Sequence, residues 1–283
     1  MGLSEKVRYL VFDIESVADG DLIAQTRYAG ERLSPEEAIA RYREELMETR
    51  GSDFIPYTYQ IPVSVVAAKV DAEHRLMDIA ALDEPHYRPP EITHKFWRGW
   101  ERYRQPTWVS FNGRGFDMPL MELAAFRYGV SLPSWFNIHA RSWEQNRARY
   151  NVDSHLDLHD LLTNFGASRF NGGLNLAANL IGKPGKMQVQ GYMVQDLYNE
   201  GRIADINDYC RCDVLDTYFV FLRAAVVLGD LTLEQEQERV EHVKQWLIEH
   251  RQERPVYNLY LDNWGDWENP WEESQAELFS SQP

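Results

Sequence analysis

Residues 8–15 read Arg8-Tyr9-Leu10-Val11-Phe12-Asp13-Ile14-Glu15, an aromatic and β-branched run that ends in two acids. That composition is the mark of a strand buried on both faces. Residues two apart on a strand project from one face, so Asp13 and Glu15 share a face at the strand's end. An isolated Asp-x-Glu is most often a solvated strand terminus, because acids are seldom buried without a partner. The pair gains meaning only from what the rest of the chain supplies.

Beyond this strand a polar, Gly-dotted loop runs to Gly30. Ser34-Pro35-Glu36-Glu37 then opens a helix to about Thr49, with Ser34 as cap, Pro35 in the first turn and Glu37 at the capping-box position. Residues 61–70 and 75–82 pattern as a strand pair around Asp71-Ala72-Glu73, residues 91–104 as a helix and residues 107–111 as a further strand. Asn112-Gly113-Arg114-Gly115 is a turn, and residues 117–128 form a helix closed by Gly129. The stretch 131–153 is irregular, and Leu156-Asp157-Leu158 closes a short strand before a helix to about Phe165. Short helices are expected over 174–181 and 194–200, a long one over 203–228 and a charged amphipathic one over 233–250. The order predicts an α/β domain over residues 1–230. A C-terminal extension, 231–283, would hold the amphipathic helix and an acidic, Trp-rich tail.

The chain of 283 residues is 44% apolar, which excludes a wholly disordered chain. It carries 29 Lys plus Arg against 44 Asp plus Glu, a net charge of −15. This excludes a generally basic nucleic-acid coat protein but not a nucleic-acid enzyme, for which the local field decides. Part of the deficit is segregated: from Pro255 onward there is no Lys or Arg, but Asp262, Asp266, Glu268, Glu272, Glu273 and Glu277. Cys210 and Cys212, one residue apart, make no disulfide framework, and a cytoplasmic location is the default expectation. Residues 1–8 do not read as a signal peptide. The longest apolar run, 224–228, is far short of the ~20 residues that span a bilayer, so no membrane partner is expected.

Two further motifs carry acids. Asp117 follows the glycine turn, where an acid is ordinarily a helix cap. Tyr209 and Asp213 stand four apart on the long helix and share a face; such a pair is ordinarily exposed. Asp157 reads as a helix start or a supporting acid, since acids favour helix N-termini.

Taken in order, Phe12-Asp13-Ile14-Glu15, Asn112 to Phe116-Asp117, and Tyr209-Cys210-Arg211-Cys212-Asp213 resemble the DEDDy group of 3′–5′ exonucleases, whose fold is RNase H-like. The set is most similar to stand-alone predicted exonucleases related to the proofreading domain of family B DNA polymerases. The likeness extends over roughly Tyr9 to Arg223 and includes His155-Leu156-Asp157-Leu158. It implies an RNase H-like mixed sheet flanked by helices. It also implies metal-dependent hydrolysis of phosphodiester bonds from the 3′ end of DNA, preferably single-stranded, releasing nucleoside 5′-monophosphates. By the same resemblance Asp13, Glu15, Asp117 and Asp213 would hold two divalent cations, Mg²⁺ or Mn²⁺. Asp13 would bridge them, Glu15 and Asp213 would hold the ion nearer the attacking water, and Asp117 would reach the other. Tyr209 would orient that water; a phenol with a pKa near ~10 is a poor base at neutral pH. Carboxylates suit these ions because hard cations prefer oxygen ligands, and two such ions ~3.5–4 Å apart stabilise both the attacking and leaving oxygens.

For substrate contact the candidates are Asn112 and Phe116 beside Asp117, Arg141 and Arg147 in the irregular stretch with Trp143, and Lys186 in the loop after Gly182-Lys183-Pro184-Gly185. In the helix over 91–104 the aromatics are expected to pack inward and the cations to face water. The Gly-Lys pairs lack the spacing of a P-loop, and Cys210-Arg211-Cys212 lacks partners for a zinc site. Trp264, Trp267 and Trp271 either dock a protein partner or fold back. Two other readings stay open: a non-catalytic nucleic-acid or partner-binding module on the same fold, and the same chemistry on RNA.

Overall fold

The structure, a computed structural model, describes residues 6–185, 187 and 191–271. Five strands, β1 (Tyr9–Ala18), β2 (Gln60–Val70), β3 (Leu76–Ala81), β4 (Thr107–Ser110) and β5 (His155–Asp157), form one sheet in the order β3-β2-β1-β4-β5. β1 runs antiparallel to β2 and parallel to β4, so the sheet is mixed and β1 is its middle strand. Ten helices surround it among the described residues: α1 (Gly20–Arg27), α2 (Pro35–Arg50), α3 (Pro89–Arg102), α4 (Asp117–Tyr128), α5 (Leu158–Leu162), α6 (Gly173–Asn179), α7 (Val194–Asn199), α8 (Ile203–Leu228), α9 (Leu233–His250) and α10 (Val256–Asp262).

The alternation along β1 builds two cores. Leu10, Phe12 and Ile14 pack with Phe96, Trp97 and Trp100 of α3 and Met118 and Met121 of α4. Val11 packs on the other face with Val214, Leu215 and Tyr218 of α8. Asp13 and Glu15 share the parity of Val11, so both acids point to the α8 face. The pairing of β1 with β2 shifts between Glu15 and Ser16: Glu15 faces Ser64, whereas Ser16 faces Pro62. The extra residue, Val63, is a β-bulge.

Several expectations are met at the level of single caps. Ser34 accepts from the Glu37 N–H while Glu37 Oε2 accepts from the Ser34 N–H, the reciprocal capping box. Gly129 closes α4 in the left-handed conformation. Two helices stand where none was expected. The loop to Gly30 contains α1, started by Asp19 Oδ1 accepting from the Leu22 N–H at 3.0 Å. The acidic tail contains α10.

The C-terminal helices share the sheet's core. Val243 and Leu247 of α9 and Tyr257 and Tyr260 of α10 belong to one cluster with Val11 and Val66. Tyr260 donates to Asp216 of α8 at 2.6 Å. Beyond α10 the chain lies against the loop after α6. A Cβ on Gly182 would sit 2.8 Å from the Asp266 carbonyl oxygen, and one on Gly265 would sit 2.8 Å from the Gly182 oxygen. Trp264 packs edge-on to Phe219, and the Arg223 guanidinium lies over Trp267, while Trp271 is exposed. Glu272, Glu273 and Glu277 lie outside the described residues. Among the described residues no helix is long and apolar enough to cross a membrane.

If α9 is integral to the core, Leu247→Ala, a truncation at a fully buried site, should destabilise the whole chain by about 2–5 kcal/mol. Urea denaturation followed by circular dichroism and tryptophan fluorescence should give one shared transition at lower midpoint. A separate early transition of the C-terminal helices would contradict this.

Candidate active site

Asp13 and Glu15 reach the α8 face at the point where α8 presents Tyr209, Cys210 and Asp213. The Cys210 thiol donates to the Asp13 carbonyl at 3.3 Å and lies 3.6 Å from its Oδ2. Ligand atoms of Asp13, Glu15 and Cys210 all lie within 4.8 Å of one another. Ser64, opposite Glu15 on β2, donates to Asn207 Oδ1 at 2.7 Å, and Asn207 donates to the Ile203 carbonyl at 2.8 Å. This buried pair pins the first turns of α8 to the sheet beside the acids.

Asp117 enters from the opposite side as the first residue of α4. Its turn is held by Asp157. The Asp157 carboxylate accepts from the backbone N–H groups of Asn112 (2.8 Å) and Arg114 (2.9 Å), and from His159 (3.0 Å) and Asp160 at the start of α5. The expected role of Asp157 as a helix start is therefore half of what it does. Asn112 adopts a left-handed backbone (φ 64°), and its side chain is exposed. Gly113 is required because a Cβ there would lie 2.3 Å from Ser110 Oγ. The close approach that the glycine permits is thus to the protein's own strand.

The electrostatics follow from burial. Asp13 is held well above the usual carboxylate range by burial, and then by the charges of Asp213 and Asp117. Glu15 is raised likewise by burial, then by Asp13, Asp213 and Asp117. Asp117 is pushed up to about 7 by burial and by Asp157. Tyr209 is hydrogen-bonded to Asp213, and burial together with the surrounding carboxylates raises its phenol far from ionisation. Among the described residues no Lys or Arg forms an ion pair with Asp13, Glu15 or Asp117. Buried carboxylates without a cation fit a divalent metal, which would supply the missing positive charge through oxygen ligands. A groove of about 320 Å³ lined by Gly185, Asp208, Tyr209, Asp213 and Leu259 opens beside them.

The structure thus brings Asp13, Glu15, Asp117, Tyr209 and Asp213 into one electrostatically connected group. The expected substrate contacts are more dispersed. Phe116 is half-buried against Phe54, with ring centroids 5.7 Å apart. Arg141 is exposed over Trp143, at 5.7 Å. Arg147 is engaged by Glu122 through two 2.7 Å hydrogen bonds. Lys186 lies outside the described residues. Lys183, its neighbour in the loop, is buried over the Trp264 ring and turned towards the C-terminal segment. Sequence reasoning missed Cys210 as a neighbour of Asp13. The available signal was its place one residue after Tyr209, which alone does not define a contact.

β1 continues past the expected end at Glu15 to Ala18, so the two acids stand in mid-strand; a mixed sheet with that strand at its centre and a long helix across the acids resembles a polymerase exonuclease domain. Residues 52–264 match a family described as a predicted 3′–5′ exonuclease related to the exonuclease domain of PolB, and the chain belongs to this family. The matched span includes Asp117, Tyr209 and Asp213 and begins after Asp13 and Glu15. Among solved structures, the family B DNA polymerase from the hyperthermophilic archaeon Pyrobaculum calidifontis matches over 87% of this chain and 29% of its own, with TM-score 0.50 and 14% identity. That likeness is one of fold, and the chain spans under a third of the polymerase's length. A comparison with curated proteins gives no match.

Two outcomes test this site. Asp157→Ala leaves buried N–H donors unsatisfied and should cost about 3 kcal/mol or more, with faster amide exchange at Asn112 and Arg114. A carboxyl whose folded pKa lies above its unfolded value stabilises the fold below the unfolded pKa and loses that contribution as pH rises through the folded one. With a chelator present, stability should therefore fall as pH rises from about 4 to about 7, the window set by Asp117. Thermal melts across that range would read it, and a flat profile would contradict the burial of these acids.

Proposed function

We propose that this chain is a metal-dependent 3′–5′ exonuclease that hydrolyses phosphodiester bonds at the 3′ end of DNA, preferably single-stranded, and releases nucleoside 5′-monophosphates. The observation that carries the reading is the convergence of Asp13, Glu15, Asp117 and Asp213 beside Tyr209, with the first three acids buried or half-buried and lacking any ion-pair partner among the described residues. Membership of an exonuclease family supports it.

Asp13, Glu15, Asp117 and Asp213 would hold two divalent cations, Mg²⁺ or Mn²⁺, which when bound neutralise charge developing on the phosphoryl and leaving oxygens. The protein's own part is position and exclusion. Glu15 and Asp117, nearly buried, keep their carboxylates fixed by strand β1 and the Asp157-held turn. Tyr209, neutral at every physiological pH because burial and the carboxylates oppose its ionisation, holds a water by hydrogen bonding and does not abstract its proton. Asn112, exposed in the turn, and Phe116, half-buried beside it, meet the terminal nucleotide, and Arg141 meets a phosphate. Arg147 first has to leave Glu122 to do so, which makes it the weaker contact.

A 5′-labelled single-stranded oligonucleotide incubated with Mg²⁺ or Mn²⁺ should shorten stepwise from its 3′ end, and a chelator should stop it. Asp13→Asn and Asp213→Asn should reduce cleavage to background while the protein still melts cooperatively. Tyr209→Phe should lower kcat by about 10²-fold with little change in metal affinity. Matched RNA in parallel assigns the sugar preference. Undiminished cleavage in both Asn variants, or no cleavage with either metal, would overturn the proposal.

A further inference from the structure

The loop after α6 touches two regions at once. At Gly182 it lies against the backbone of Gly265 and Asp266, and at Gly185 and Met187 it lines the groove beside Tyr209 and Asp213. Three residues reach at most ~11 Å, so a hold on Gly182 and Lys183 is felt at Gly185. Pro184 stiffens the link, since its ring fixes φ. Gly185 is left-handed (φ 65°), and a Cβ there would stand 2.4 Å from Asn175 Oδ1. At Gly185 the groove wall is therefore backbone, and its place follows from where the loop is held.

Lys183 supplies the hold. It is only 6% exposed, although burying a charge is costly unless the charge is compensated. Its ammonium donates to the Gly265 carbonyl at 3.4 Å, and Nζ stands 4.2 Å from the centroid of the Trp264 ring and 5.2 Å from that of Phe219. The two rings are nearly perpendicular, at 87°, and form a corner between the C-terminal segment and α8. A ring face attracts a cation most strongly where water is excluded.

Around this corner lies a cavity of about 130 Å³. Lys183, Arg223 and Lys244 line it against Glu236, Glu241 and Asp266, so its charges balance without an outside ion. Burial lowers the Lys183 amine to about 8, opposed by Asp266 and Glu236, so at neutral pH it is mostly ammonium. The arrangement is that of an aromatic cation-binding site whose ligand is the chain's own lysine.

We propose that Lys183 is a positioning residue for the candidate active site: the Trp264–Phe219 corner captures its ammonium and thereby holds Gly185 and Met187 as a wall of the groove that receives the substrate strand. The C-terminal segment then contributes to seating the substrate without touching it. The kinetic consequence rests on the exonuclease reading; the hold on the loop does not.

The test uses the full chain. Lys183→Met keeps the length of the side chain and removes its charge, and Trp264→Leu removes the ring. In both, amide exchange at Gly182 and Gly185 should rise about tenfold. The KM for a single-stranded oligonucleotide with Mg²⁺ should rise by about the same factor, with kcat within about twofold, because the carboxylates are untouched. Trp264→Phe, which keeps a ring face, should restore most of both. Trp271→Ala, at an exposed residue further along the same segment, should change neither. Replacing a buried charge by an apolar side chain of similar volume is often neutral or stabilising, so Lys183→Met should melt at or above the wild-type temperature and carries the test if Trp264→Leu does not fold. Unchanged exchange at both glycines in Lys183→Met, a loosened loop with wild-type KM, or a lowered melting temperature with wild-type KM would overturn the proposal. A wild type that cleaves no oligonucleotide would overturn the exonuclease reading, and the exchange pattern would still decide the hold on the loop.

Discussion

Carboxylates repel one another, and the repulsion grows as water is withdrawn from between them. In this chain Asp13, Glu15 and Asp117 are desolvated together, and each is thereby held in a state its ordinary acidity would not allow. For Asp117 the displacement from 3.8 to about 7 corresponds to roughly 4 kcal/mol at higher pH. Burying one large apolar side chain contributes about 1.5–3 kcal/mol. Two or three such side chains therefore offset one misplaced acid, and β1 supplies them on both faces: Leu10, Phe12 and Ile14 on one, Val11 on the other. The rest of the fold can be understood as the packing needed to keep that strand in place.

This explains why the C-terminal helices are not an appendage. The α8 face of β1 carries the acids, so the apolar contacts that hold α8 down must come from beyond them. Val243, Leu247, Tyr257 and Tyr260 provide them, and the Tyr260 hydroxyl satisfies one oxygen of Asp216, three residues from Asp213 on the same helix. The described part of the negative tail is consequently anchored at its start. It is built into the core through α10 and Trp264. Trp271, the last of the described residues, is exposed.

What the sequence disclosed depended on how local the cause was. The α2 capping box, the Gly129 stop and the span of α8 are set by neighbouring residues, and each was legible. Helix α1 was hidden because it opens with Gly20 and is only eight residues long; Asp19 as cap was its one signal. Helix α10, with two Tyr and one Val in seven residues, resembles a strand or coil segment in composition and is helical because the core beneath it demands apolar residues at Tyr257 and Tyr260. At the site, residue types in order were sufficient to single out the acids and Tyr209. The hold of Asp157 on the turn, the contact of Cys210 with Asp13 and the capture of Arg147 by Glu122 join residues far apart in the chain, and no local pattern encodes them.

The bulge opposite Glu15 changes the phase of β2. Before it Val63 faces the α7 and α8 side with Val17; after it Ser64, Val66 and Ala68 face that same side. Two consecutive residues thus look one way, and odd and even positions exchange meaning across them. Pro62, which has no N–H to give, stands at this irregularity in an otherwise inner strand, and β3 pairs with β2 only from Val66 onward. The strand is therefore written in two reading frames with the acids at the seam. A one-residue insertion or deletion here would turn one frame against the other, so that Ser64 or the valines would face the wrong core while every amino acid remained the same.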